Sequence, residues 1–228
     1  MHEPQTIREV EDIVFGIVTA AIAPSMAMLS YFYIKNEYGT TPFGLVFRVF
    51  LVGALVMFPV MVLQYAFTTE GFFQGPIYRA FILYGFVEEF FKWFLLYFFV
   101  FKQIEFSRHY DGIIFGVALS LGFASMENVL YLVANGVETA IGRALLPVSS
   151  HAIFGIIMGY YLGRGKLEPM MRRRWVVFSL LFPVVLHGVY DSILIVMNSY
   201  FLYGMIPFMF MLWWLAIKKV KLAYQFDR

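Results

Sequence analysis

The chain has 228 residues, of which 61% are hydrophobic, 20% aromatic and only 14% charged. A soluble domain holds nearer half apolar and a quarter charged residues; with a mean hydropathy of +0.74, this chain has too few polar side chains to coat a water-facing surface. There is no cysteine, which removes disulfides, thiolate zinc sites and thiol nucleophiles, and 17 basic against 15 acidic residues is too even a balance for nucleic-acid binding.

A membrane-crossing helix needs about 20 mostly apolar residues, because the hydrocarbon is about 30 Å thick and a helix rises about 1.5 Å per residue. Seven segments meet or approach this requirement, at 13–34, 44–66, 80–101, 111–134, 148–163, 175–197 and 201–217. The first is too long, and its flank MHEPQTIREVED too acidic, for a cleaved signal peptide. Pro24, Pro59, Pro183 and Pro207 lie inside spans, where a missing amide tends to kink the helix. The fifth span is short and is expected to begin before Pro147 as a re-entrant or tilted piece, since irregular backbone at membrane depth survives only under cover of protein or a wet cavity. The pattern predicts an all-α polytopic bundle: a polar tail over 1–12, one transmembrane domain over 13–217 and a basic tail over 218–228.

Basic residues set the orientation. One set of span ends carries 13 of the 17, including Lys35, Arg164, Lys166, Arg172, Arg173, Arg174, Lys218 and Lys219. The other carries only Arg8, Arg79 and Arg143. The positive-inside rule then places the N-terminus outside and the C-terminus in the cytoplasm, which requires an odd number of spans.

Glu88, Glu89, Lys92, Glu127, His151, His187 and Asp191 all fall inside predicted spans. Each charged group at a helix centre costs about 2.5–3.5 kcal/mol on insertion scales, so such residues face the bundle interior and pair or react. Buried ion pairs that merely fix helix register are the competing reading, with Glu88 and Lys92 at i,i+4 the obvious pair. Depth argues against it. Glu88 and Glu89 lie about 12–14 Å below the outer face, Glu127 about 10 Å, His187 about 15 Å, Asp191 about 9 Å, and His151 is shallow. The groups therefore share the outer half of the bilayer, as a water-holding cavity requires.

A carboxylate crowded by another in a low dielectric can take a proton from water and return it, and a histidine can donate to a developing oxyanion. Together they make a hydrolase. No HExxH or GxSxG occurs, Ser149 and Ser150 adjoin His151 too closely for a Ser-His dyad, and Asp191 has no second deep aspartate. A glutamate is thus the expected base. Asn128 faces about 100° away from Glu127 and reads as support, as does Lys92.

The segments GFVEEFFKWFLL, HYDGIIFGVALSLGFASMENVLYL, RALLPVSSHAIFGIIMGYYLG and LHGVYDSIL, in this order, resemble the PrsW family of membrane proteases, over essentially all of 13–217. The resemblance implies an endopeptidase of the cell membrane that makes the first, site-1, cut in a single-pass membrane-anchored anti-sigma factor, so freeing a sigma factor in a stress response. Glu88 and Glu89 match the family's paired glutamates, Glu127 the acid of FxxxE, His187 and Asp191 the HxxxD pair, and His151 a further family histidine. The distant CAAX-processing and bacteriocin-immunity-type proteases have a histidine where Glu127 stands.

Glu88, Glu127, His151 and His187 could bind zinc and activate its water, or serve a metal-free glutamate protease; the lack of any helix with a two-ligand zinc motif favours the latter. A proton-coupled transporter is the rival class, and the absence of repeated halves with paired broken helices counts against it. A prenyl-protein endopeptidase would meet its substrate on the wrong side.

Overall fold

The computed structural model describes the backbone of residues 3–36 and 41–228, with side chains from residue 11. Arg8 and most of the stretch 1–12 therefore lie outside the described side chains. Among the described residues every regular element is helical, as the composition predicts. We label them α1 (Glu3–Ile34), α2 (Phe43–Thr69), α3 (76–100), α4 (His109–Asn135), α5 (140–167), α6 (Arg172–Met197) and α7 (Phe201–Asp227).

Among the described residues, five stretches are long and apolar enough to cross a bilayer: Glu11–Ile34, Phe43–Thr69, His109–Asn135, Val137–Leu167 and Pro169–Asp227. The last, at 59 residues, is two helices, α6 and α7, parted at Asn198, whose φ of 43° ends α6. The stretches thus supply five or six spanning helices, and the chain is a multi-pass membrane protein. The α3 helix stands apart because Glu88, Glu89 and Lys92 interrupt its apolar run.

The fifth span begins before Pro147, as expected, but is continuous helix and not a re-entrant piece: Pro147 sits in a wide π turn, Ala144–Val148, that follows Ala140–Arg143 and leads directly into Ser149–Leu167. The Ser150 hydroxyl donates back to the Pro147 carbonyl at 2.8 Å, one turn behind it. The seventh span is longer than its apolar run, because α7 continues through its lysines to Asp227.

The α4 helix is the core. Every residue from His109 to Ser125 is buried, as befits a helix apolar on all sides. It approaches both neighbours backbone to backbone. A Cβ on Gly116 would strike the Gly155 carbonyl of α5, and one on Gly122 would strike the Phe50 carbonyl of α2. Its first turn is held by two carboxylates: the Arg108 amide donates to Asp111 at 2.8 Å, and the His109 and Tyr110 amides donate to Asp227 of α7 at 2.8 and 2.9 Å. Both acids satisfy orphan amides at the positive end of the helix dipole.

Candidate active site

Four helices deliver the polar groups. Glu88, Glu89 and Lys92 come from α3, Glu127 and Asn128 from α4, His151 from α5, and His187 and Asp191 from α6. Wide π turns, Arg79–Phe86 and Ala144–Val148, precede the stretches that carry Glu88 and His151. Such turns rotate the downstream residues relative to a regular helix and are frequent at functional sites. The α3 and α6 backbones meet where Gly85 faces Gly188: a Cβ on Gly85 would lie 3.0 Å from the Gly188 amide nitrogen. That closeness brings Glu89 within reach of His187.

All eight residues singled out from the sequence converge. His187 Nδ1 donates to Glu89 Oε1 at 2.9 Å. Lys92 Nζ donates to the same oxygen at 2.8 Å and lies 3.6 Å from Glu88 Oε2. The expected Glu88–Lys92 pair is therefore the looser one, and Glu89 is the closer partner. On the other side Lys92 Nζ is 3.1 Å from His151 Nδ1, and His151 Nε2 is 2.9 Å from Glu127 Oε2. An ammonium can only donate, so Nδ1 accepts and Nε2–H donates to Glu127, which fixes the tautomer. His187 Nε2 is 3.4 Å from Asp191 Oδ2 and 3.9 Å from Glu88 Oε2.

A cavity of about 290 Å³ opens onto this group, walled by Glu88, Glu127, His151, His187, Asp191 and Tyr190 among others. Glu127 keeps 27% of its side chain accessible whereas Glu89 and Lys92 keep none, so the cavity opens past Glu127 and closes over Lys92. By chain position it lies towards the end of the bundle that carries the 70–75, 136–139 and 198–200 connections.

Two participants were not singled out from the sequence. Gln64 of α2 donates to Glu88 Oε1 at 3.1 Å. Arg143, read there only as an outer flanking charge, grips Glu127 Oε1 at 2.9 Å and Asn128 Oδ1 at 2.6 Å, with its guanidinium 4.1 Å from the Tyr131 ring centroid. Asn128 in turn donates to the Ala21 carbonyl at 3.2 Å, tying α1 to the site. An arginine one helix end away from a glutamate in an adjoining span was the available signal.

Glu88, Glu89, His151 and His187 each offer a donor atom, and these four atoms lie within 4.8 Å of one another. Glu89 thus stands in the four-donor set where the sequence pattern put Glu127, whose carboxylate is instead taken up by Arg143 and by His151 Nε2. The set suits a divalent ion in kind and number, and Glu88 Oε2 and Glu89 Oε2 are buried without a hydrogen-bond partner.

The family described as PrsW family intramembrane metalloprotease matches residues 41–216. Relatives named Protease PrsW include one from Halalkalibacterium halodurans, 68% identical over 94% of this chain and 100% of the relative. Another, from Bacillus subtilis, is 46% identical over 92% and 96%, and one from Clostridioides difficile is 30% identical over 88% of each. No solved structure matches the chain. Family membership excludes the transporter reading, and the polar cluster inside an apolar bundle is what peptide hydrolysis at membrane depth demands: the chain belongs to the PrsW family of intramembrane metalloproteases and is a peptidase.

Proposed function

We propose that this peptidase makes the first cut in a single-pass, membrane-anchored anti-sigma factor, from a seven-span bundle with its N-terminus outside and its cavity facing the extracytoplasmic half of the bilayer. The orientation rests on the basic residues, which crowd the opposite end of the bundle. The observation that carries the chemistry is the unequal state of the two glutamates. Glu89 is fully buried, with Oε1 held by Lys92 and His187, and stays off the cavity wall, whereas Glu88 lines the cavity, held there by Gln64 and by the longer contact of its Oε2 with Lys92 at 3.6 Å.

Glu88 takes a proton from a water in the cavity as that water attacks the scissile carbonyl, and passes the proton to the departing amide nitrogen. His187, on the same wall, is fixed by its Nδ1–H bond to Glu89 and donates its Nε2–H to the developing oxyanion, with Asp191 3.4 Å away as a nearby counter-charge. Glu127, gripped by Arg143, orients His151. A divalent ion that displaced Lys92 from Glu88, Glu89, His151 and His187 would be held by those four residues and would supply a water of lowered pKa.

Purified chain in proteoliposomes with a single-pass anti-sigma factor from the same genome tests this reading. Cleavage by the native chain and none by Glu88→Gln is expected; an intact substrate with the native chain, or equal cleavage by both, overturns it.

A further inference from the structure

We propose that the Lys92 ammonium is the resident cation of the four-donor cluster, so that a divalent metal enters only by displacing it. The inference rests on the hydrolase reading of these residues but not on the substrate. Lys92 is completely buried, with Nζ 2.8 Å from Glu89 Oε1, 3.1 Å from His151 Nδ1 and 3.6 Å from Glu88 Oε2. Three of the four groups that would ligate a metal thus already turn an oxygen or a lone pair to one ammonium. The Phe123 ring closes a further side, its centroid 4.0 Å from Nζ.

The ammonium and a metal need the same electrons. Zinc takes nitrogen and oxygen ligands at about 2.0–2.2 Å, so each donor turned to zinc is withdrawn from Lys92. The lysine would then be left next to a dication in a low dielectric, where like charges repel most and an unpaired charge is least tolerated. Its head has no water to retreat to, because the cavity closes over it. Being one turn from Glu88 on the same helix, the ammonium also cannot diffuse away.

The experiment is zinc binding by the full-length purified chain, measured by competition with a chromogenic chelator and by metal content after purification. The native chain should carry well under one zinc per chain. Lys92→Met and Lys92→Gln should bind zinc about tenfold more tightly or better, and Lys92→Arg should show no gain. Should the neutral variants be too unstable to isolate without metal, zinc added during solubilisation should raise their melting temperatures more than that of the native chain. Near-stoichiometric zinc in the native chain, or neutral variants that bind zinc no better, would overturn the proposal. Both results are read without substrate, so they stand apart from the fate of the cleavage reading.

Discussion

Glu88 and Glu89 are adjacent in sequence yet meet different surroundings, because successive helical residues point about 100° apart. Glu88 faces the cavity and Gln64, while Glu89 faces Lys92 and His187. Glu88→Gln should lower the cleavage rate by about 100- to 10,000-fold with the melting temperature nearly unchanged, since the amide keeps the shape but cannot take the proton. Glu89→Gln should lose activity and also melt earlier, because it strips the closest counter-charge from a buried lysine, a change worth about 3–5 kcal/mol. Native rates in both variants would remove the glutamate base. Arg143→Met should slow cleavage while Arg143→Lys restores part of the rate, since Glu127 and Asn128 both lean on that guanidinium; kinetics of the two variants side by side check this. The glutamates, histidines and Asp191 were legible because a charged or ionisable group inside an apolar span is costly and is rarely kept without a role. Arg143 was not, because a basic residue outside a predicted span is ordinary until its side chain is seen reaching inward.

The helices were legible from hydropathy, their ends and turns less so. Helix α7 outruns its apolar segment because lysines extend a helix without interrupting it, and hydropathy registers only the apolar part. The π turns ahead of Glu88 and His151 leave no trace in composition, so rotation of the site residues could not be read from periodicity. Glycine spacing was readable in principle: Gly112 and Gly116 on α4 face Gly155 and Gly159 on α5, and each Cβ added there would strike backbone. Gly155→Ala should therefore cost about 1–3 kcal/mol and lower the melting temperature of the solubilised protein. By contrast Gly142→Ala, with nothing near its Cβ, should be neutral or slightly stabilising. Equal melting of the two variants would mean that α4 and α5 are not in the close contact described.

For the whole molecule the question is which end of the bundle faces out, since that decides where a substrate helix can be cut. The chain has no native cysteine, so a single introduced one reports cleanly. Tyr200→Cys, 70% exposed beyond α6, should react with an impermeant maleimide on intact cells, and Met170→Cys, 98% exposed at the opposite end, should not. Cleavage position follows from the same geometry. The carboxylates and imidazoles lie within about 20 Å of the end bearing the 70–75, 136–139 and 198–200 connections, at about 1.5 Å per residue. A substrate helix must unwind before its internally bonded carbonyls can be attacked, and it does so most readily near water. Mass spectrometry of the fragments from a single-pass anti-sigma factor cut by the purified protease is the most direct test. A single cut at or just beyond the extracytoplasmic end of the substrate helix, lost in Glu88→Gln, is the predicted result; fragments ending in the cytoplasmic half of that helix would contradict it.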